Sequence, residues 1–140
     1  MSREHFQLTD QPFDPKDHVT TMYNPAAGGY IGFEGWVRNH NEGKDVTSLE
    51  YEAYPDLANK EGRRILNEAR EKYSILDARC VHRSGHLQVG EIAVWVGVTA
   101  IHREAAFAAC HHIIDKVKAR VPIWKKEHYA DGDSGWVRCE

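Results

Sequence analysis

The sequence predicts an α+β fold in which antiparallel strands pack against two main helices. Residues 55–73 and 102–120 carry apolar side chains at the spacing of amphipathic helices. The segments around them alternate apolar with polar residues, or form short apolar runs, as strands do. Glycine-bearing loops between strands predict hairpins, and hairpins favour an α+β fold over a doubly wound one. We therefore expect a single domain over residues 1–140.

The first third of the chain is predicted to hold three strands and one short helix. Asp14 precedes Pro15, which is an N-cap followed by the residue favoured at the first helical position. Gly43 lies in a loop between two segments of strand character, which predicts a hairpin. The predicted elements are a strand over residues 4–9, a helix from 15 to about 23, a strand over 30–37, a hairpin loop over 39–44 and a return strand from about 46 to 54.

The rest of the chain holds both main helices and the most apolar strand. The segment 87–99 is apolar enough to lie in the centre of a sheet, and Pro122 ends the second helix. The predicted elements are a helix over 55–73, strands over 76–83 and 87–99, a helix from 102 to about 120, and short strands over 123–129 and 136–138. The apolar helix faces are Leu57, Ala58, Ile65, Leu66 and Ala69 in the first and Ala106, Cys110 (or Ala109), Ile113 and Val117 in the second.

Composition excludes several classes of protein. The net charge of -3 gives no global attraction for nucleic acid, so any anion site must be local. No apolar run is long enough to span a membrane, and the N-terminus lacks the apolar core of a signal peptide. Cys80, Cys110 and Cys139 are odd in number and far apart, which predicts a reducing cytoplasm and small packing residues rather than a disulfide framework.

His102 and Arg103 stand in an unfavourable place for cations. The first turn of a helix is already positive, so cations there cost a few tenths to about 1 kcal/mol unless an anion arrives. A helix N-terminus beside an arginine therefore predicts a phosphate or carboxylate site. The alternative is a surface ion pair between Arg103 and Glu104 or another carboxylate.

Two further groups of cations are candidates for the same kind of site. Arg38 ends a strand and enters a glycine-bearing loop, where a rigid scaffold can hold a functional group; the alternative is an ion pair with Glu42 or Asp45. Lys118 suits the negative end of its helix, but Lys125 follows the Pro122 turn and has no such explanation. If the chain folds back there, Lys125 lies beside Lys118 and the pair suits an anion or acyl chemistry.

The sequence predicts neither a metal site nor a resident cofactor. The clusters of metal-ligating residues lack a fourth ligand, as a closed structural zinc site requires. Phosphate-binding glycine loops and a nucleophile elbow are absent, so the candidate reactive set is cationic and its ligand anionic. The clusters considered are Cys80, His82 and His86, and the pair His111 and His112.

Four stretches resemble the large subunit of molybdopterin synthase, the MoaE family. They are FEGWVRNHNEG, LEYEAY, HRSGHLQVGEIAVWVGVTAIHREAAFAAC and DKVKARVPIWKKE, in the family's order, and the likeness runs from about Gly29 to Trp136. The resemblance implies an α/β-hammerhead fold and a homodimer within a heterotetramer. It also implies a small ubiquitin-like partner (MoaD-like) with a thiocarboxylated C-terminus. The implied reaction is sulfur transfer from that tail to cyclic pyranopterin monophosphate (precursor Z), which forms the dithiolene of molybdopterin.

The resemblance also implies roles for particular residues. Lys118 and Lys125 match the family's essential lysines and are the expected catalytic residues. Trp36 stands where relatives often carry a polar or basic residue, and Arg138 is the nearest match to a further arginine of some relatives. The expected substrate-binding residues are Trp36, Val37, Arg38, His102, Arg103, Lys118, Lys125, Lys126 and Glu127.

Helix geometry constrains how these residues meet. Lys118 follows Arg103 by 15 positions, a distance of about 22 Å along a continuous helix. Either the helix breaks, or the site combines Lys118 and Lys125 of one subunit with His102 and Arg103 of its twin; we favour the second. Two other functions stay open: a non-catalytic dimeric module that binds a ubiquitin-like tail and an anion, and single-strand nucleic-acid binding, which the negative charge disfavours.

Overall fold

A computed structural model describes residues 5–139. Within this range lie three helices and ten strands, in the α+β arrangement that the sequence predicts. Position 4 of the first predicted strand lies outside the described residues. The elements are β1 (Phe6–Thr9), α1 (Pro15–Met22), β2 (Gly29–Trp36), β3 (His40–Asn41), β4 (Lys44–Ala53), α2 (Pro55–Lys72), β5 (Asp77–Arg83), β6 (Gly85–Gln88), β7 (Ile92–Ala100), α3 (Arg103–Arg120), β8 (Ile123–Tyr129), β9 (Gly132–Asp133) and β10 (Val137–Arg138).

The first sheet has four strands in the order β1-β5-β7-β2. β7 lies inside this sheet, as its apolar sequence predicts, and β2 lies at one edge. The pairing of β1 with β5 is parallel, whereas β5, β7 and β2 pair antiparallel. The prediction of one strand over 87–99 is wrong, because a turn at Gly90, with a φ of 91°, separates β6 from β7 and sends them to different sheets.

The helices cover both faces of the first sheet. The buried faces of α2 and α3 form the main core with β5 and β7, and α1 packs on the opposite face beside Trp95. Asp14 caps α1 as predicted, since its carboxylate accepts a hydrogen bond from the Lys16 amide. Leu57 is an exception to the predicted apolar face, because 58% of it is exposed. Gly62 takes a core position instead, where a Cβ would overlap the Phe6 ring.

The second sheet is built around β4. β8 pairs along one side of β4, β6 and β3 pair along the other, and β9 and β10 extend the sheet beyond β8. The predicted hairpin between strands 30–37 and 46–54 is wrong, because β2 pairs with β7 and the chain then crosses to the second sheet. The short β3–β4 hairpin has positive φ angles at Glu42 and Gly43, as a tight two-residue turn requires. None of the helices between residues 5 and 139 has the length and apolar character needed to cross a membrane.

Candidate active site

Lys118 and Lys125 line one small pocket at the seam between the two sheets. Lys118 lies in the last turn of α3, which ends before Pro122, and the chain then returns as β8. The predicted fold-back of the chain therefore brings the two lysines together. The Lys125 side chain is only 29% exposed.

The walls of this pocket are mainly apolar. β8 presents two alternate residues to it, β4, β5 and β7 present one each, and α3 covers it from the side. A low-dielectric wall strengthens the field of a nearby ammonium group relative to water. The apolar lining residues are Val94, Ile114, Val117 and Ile123.

Three polar residues of the pocket were not predicted as site residues. Burial raises the pKa of the Tyr51 phenol, and the nearby Cys139 and Glu127 raise it further. Burial also lowers the pKa of His82 to about 4, and the charge of Lys118 lowers it too. Burial raises the pKa of Cys139 to about 11, against the opposing effect of Lys125 and Lys118. All three are therefore neutral near pH 7, and no sequence motif marks them because they come from three separate strands or strand ends.

Glu127 connects the lysine pocket with the loop that carries Arg38. Its buried carboxylate accepts hydrogen bonds from Asn41 Nδ2 at 3.0 Å and from the Tyr129 hydroxyl at 3.0 Å. Lys125 Nζ lies 3.9 Å from the same carboxylate. Arg38 in turn donates to Asn41 Oδ1 at 3.4 Å rather than pairing with Glu42 or Asp45. The structure thus joins Arg38, Glu127 and Lys125 through one chain of contacts.

Lys126 and Arg138 lie on the other face of the second sheet. Neighbouring residues of a strand point to opposite faces, so Lys126 cannot follow Lys125 into the pocket. Its ammonium group lies 4.7 Å from the centre of the Trp136 ring. The Arg138 guanidinium lies 5.1 Å from the Trp124 ring, but Arg138 also lines a shallow depression that adjoins the pocket at Lys118. Lys126 therefore lies outside the lysine pocket, and its expected role in substrate binding stays a prediction.

Trp36 and Val37 differ sharply in exposure. Trp36 is 65% exposed, and its indole Nε1 donates to Glu34 Oε1 at 2.9 Å. Val37 is 4% exposed and packs with Leu49 in the core that joins the two sheets. Its backbone N–H and C=O are bonded to Glu91 and Gly90. Val37 is therefore a core residue of this chain, and its expected place among the substrate-binding residues stays a prediction.

His102 and Arg103 lie at the far end of α3 from Lys118. The helix is continuous from Arg103 to Arg120, so a break does not bring the two groups together within one chain. Both residues are exposed, and His102 makes no side-chain capping bond. Among the described residues no carboxylate pairs with Arg103, so the surface pair with Glu104 is not formed.

The cluster of Cys80, His82 and His86 that was considered in the sequence does not assemble within residues 5–139. Cys80 and His82 are buried in the first sheet, whereas His86 belongs to the second. His86 lies instead near His128 and Glu50. His128 Nε2 and Glu50 Oε1 are 2.6 Å apart, and the two histidine rings stack at 5.8 Å.

Known proteins resemble this chain over most of its length. The family model described as MoaE protein matches residues 8–120. A Thermoplasma volcanium protein named molybdopterin synthase catalytic subunit is 40% identical over 97% of this chain and 99% of its own length. A Pyrococcus abyssi protein of the same name is 42% identical over 98% and 93%. The crystal structure of molybdopterin synthase from Staphylococcus aureus superposes with a TM-score of 0.90 at 35% identity, over 95% of this chain and 96% of that one.

Proposed function

This chain belongs to the MoaE protein family, and from that membership we propose that it is the catalytic subunit of a molybdopterin synthase. Its reaction is the transfer of sulfur from a thiocarboxylated tail to cyclic pyranopterin monophosphate. The relatives' name implies a further subunit, and the small ubiquitin-like partner takes that place. We also propose a cytoplasmic location, supported by three cysteines that are all free.

The observation that supports this proposal most directly is the shared pocket of Lys118 and Lys125. Two ammonium groups beside apolar walls form a site for a negatively charged tail, because a low-dielectric wall strengthens their attraction for an anion. The pocket is small and lies at the end of a seam, which suits an extended C-terminus better than a bulky heterocycle. The heterocycle then lies outside it, toward Arg38.

We assign the chemical roles by charge and position. Lys118 stabilises the negative charge that develops as the acyl carbon changes its bonding, and Lys125 orients the substrate or transfers a proton. The thiocarboxylate sulfur forms a bond to a side-chain carbon of the substrate while a bond from that carbon to oxygen breaks, and the departing oxygen takes up a proton. Water then adds to the acyl carbon, and the bond from that carbon to sulfur breaks. The tail leaves as a carboxylate, and the sulfur stays on the substrate.

The phosphate site requires residues from a second copy of the chain. Arg38 lies beyond the end of β2 and near Lys125, whereas His102 and Arg103 lie near its start, since Gly29 pairs with Ala100. One chain therefore presents its two groups of cations at opposite ends of an edge strand about 24 Å long. A single small ligand cannot contact both groups of one chain.

The edge strand β2 is the surface that we expect the second copy to cover. Its outer side is unpaired within residues 5–139, and Tyr30, Phe33 and Trp36 are 38%, 39% and 65% exposed. A long, partly aromatic edge of this kind is usually covered. If two copies of β2 lie antiparallel across a two-fold axis, the start of one strand meets the end of the other. His102 and Arg103 of one subunit then face Arg38, Lys118 and Lys125 of its twin, which forms two equal pockets.

The decisive experiment is reconstitution with the thiocarboxylated small subunit and cyclic pyranopterin monophosphate, with the dithiolene product as readout. We expect the wild-type protein to form the product. Lys118→Ala should lower turnover by about 10²–10³-fold, because one electrostatic group of the transition state is lost. Lys116→Ala removes an exposed lysine of the same helix, outside the pocket, and should leave turnover unchanged.

The same experiment separates the enzyme from a non-catalytic binding module. A module that only holds the tail and an anion would bind both components and form no product. Tail binding measured in parallel shows whether Lys118→Ala loses affinity or turnover. Normal turnover by Lys118→Ala, with the partner intact, would contradict the assigned role.

A further inference from the structure

His82 stands at the inner wall of the lysine pocket. It lies near the end of β5, opposite Val94 of β7, and 6% of it is exposed. The Tyr51 ring contacts its imidazole edge-on, with the ring centres 5.0 Å apart. These contacts hold the imidazole plane, so its two nitrogens have fixed directions.

The hydrogen bond of Nδ1 determines where the ring proton is. Nδ1 lies 2.7 Å from the backbone carbonyl oxygen of Arg83. A carbonyl oxygen only accepts, so Nδ1 carries the proton and Nε2 holds a lone pair when the ring is neutral. Burial keeps the ring neutral, since it lowers the pKa of His82 to about 4. At neutral pH, Nε2 is therefore a hydrogen-bond acceptor.

This acceptor opens toward the pocket. Within residues 5–139, Nε2 has no hydrogen-bond partner, yet it is not among the fully enclosed polar atoms that lack one. His82 lines this pocket, which is the open space that the structure places beside its ring. An acceptor on a mostly apolar wall gains from a donor that enters the pocket. The charged or titratable groups that face it are Tyr51 of β4, Lys118 of α3, Lys125 of β8, and Cys139 after β10.

Lys118 is the strongest donor that acts on this imidazole. Lys118 and His82 line the same pocket, and the positive charge of Lys118 disfavours a second positive charge on the imidazole. A hydrogen bond from an ammonium group to a neutral imidazole joins a charged donor to a good acceptor. Lys118 is exposed and otherwise free to rotate, so such a bond would select one of its many rotamers.

We propose that His82 is a positioning residue of the active site, whose unprotonated Nε2 accepts a hydrogen bond from the Lys118 ammonium group and holds that charge toward the acyl centre. This inference rests on the proposed function, because it assigns a role at the same pocket. A pre-oriented charge lowers the barrier without reorganisation during the reaction. His82 itself takes no part in bond making.

The first test needs no change to His82. In protein with ¹⁵N-labelled histidine, NMR of the imidazole nitrogens should show a protonated Nδ1 and an unprotonated Nε2 at pH 7. Lys118→Met removes the donor and should shift the Nε2 resonance while leaving Nδ1 bonded. The proposal is overturned if Nε2 carries the proton, or if its resonance is insensitive to Lys118.

The second test uses two substitutions that each preserve one nitrogen. The amide nitrogen of Asn resembles Nδ1, and the amide oxygen of Gln resembles Nε2 as an acceptor. In the reconstituted complex we expect His82→Asn to lower kcat by about ten- to one-hundredfold, which is the size of one charged hydrogen bond. KM should change little, and His82→Gln should recover most of the loss. A purely structural role predicts that both variants lose activity in proportion to their loss of thermal stability.

The outcomes separate this inference from the proposed function. If the wild-type complex forms no dithiolene, the proposed function fails, and the NMR test still decides the state of Nε2. If the wild type is active and Lys118→Ala is not, but His82→Asn turns over normally, the inference about His82 alone is wrong. Should His82→Asn not fold, the Lys118→Met shift and the rescue by His82→Gln carry the decision.

Discussion

The two ends of α3 differ in whether their cations have partners or a pocket within the same chain. At the C-terminal end, Lys118 lies in a pocket, and Arg120 is held by Glu61 at 2.7 Å and Glu68 at 2.6 Å. At the N-terminal end, His102 and Arg103 are exposed and have no carboxylate partner among the described residues. A single chain therefore surrounds the cations at the C-terminal end of α3, and it leaves those at the N-terminal end exposed.

Helix electrostatics makes this difference informative. Cations near the C-terminus of a helix interact favourably with its dipole, whereas cations at the N-terminus do not. Arg103 and His102 therefore cost stability in an isolated chain and gain only when an anion or another subunit arrives. In this member of the MoaE protein family, we expect the C-terminal end of α3, with Lys118, to set the chemistry. His102 and Arg103 at the N-terminal end then supply the phosphate contacts of the twin's pocket.

Mixed dimers test this division most strongly. We expect Arg103→Ala and Lys118→Ala homodimers each to lose at least about tenfold in activity. A dimer with one subunit of each kind keeps one pocket with both cations intact, so it should recover about half of the wild-type activity. The measurement is product formation by mixed dimers purified through two different affinity tags.

The control is a mixed dimer in which one subunit carries both substitutions and the other is wild type. In that dimer each pocket lacks one cation, so its activity should stay low. If the control dimer were instead about half active and the first mixed dimer had low activity, each pocket would draw both cations from one chain. Arg103 would then have no role in the twin's pocket.

Hydrophobic periodicity predicted the helices well, because the buried residues of a helix recur at a fixed spacing along the sequence. The buried residues of α3 include the predicted Ala106, Ile113 and Val117, and Pro122 ends it as expected. The pattern within one strand does not show which other strand pairs with it. The loop after β2 carries glycine and polar residues in either topology, so the sequence did not reveal that β2 and β4 belong to different sheets. The MoaE resemblance is confirmed over nearly the whole chain.

The candidate site was predictable only in part. Charge and position marked Arg38, Arg103 and Lys125 as candidates, and the turn at Pro122 associated Lys118 with Lys125. Burial is not visible in the same way. Val37, which its motif places among the expected substrate-binding residues, is buried in the core. His82, which was considered only as a member of a metal cluster, lines the pocket. Distinguishing these cases requires knowledge of which strand faces which helix.

The pocket at the C-terminal end of α3 should also make the stability of the protein depend on pH, because His82 lines it. The folded pKa of His82 is about 4, against an ordinary value of 6.5, so below pH 6.5 the unfolded chain takes up a proton that the folded chain does not. Its contribution to stability is complete above about pH 6.5 and is lost as the pH falls toward 4. Between pH 7 and pH 5 we expect the free energy of unfolding to fall by about 2 kcal/mol from this residue.

Urea unfolding of the wild type and of His82→Gln at both pH values measures this contribution. The variant should lose about 2 kcal/mol less than the wild type over the same interval. The other histidines with lowered pKa values, His5, His18 and His112, act in the same direction in both proteins and cancel in the difference. Equal pH dependence of the two proteins would show that His82 is not buried as a neutral ring.

The smallest effects compare the arginines at the two ends of α3. Arg120 donates to two carboxylates of α2, so Arg120→Ala should lower the free energy of unfolding by about 1–2 kcal/mol, a value reduced by its partial exposure. Arg120→Lys keeps the charge but not the paired hydrogen bonds, and should lose less. Arg103→Ala removes a cation from the positive end of the helix and should stabilise the isolated subunit by a few tenths of a kcal/mol. Thermal or urea unfolding of the three variants measures the contrast. If Arg103→Ala were as destabilising as Arg120→Ala, Arg103 would already be paired within its own subunit, and its proposed place in the twin's pocket would lose its electrostatic basis.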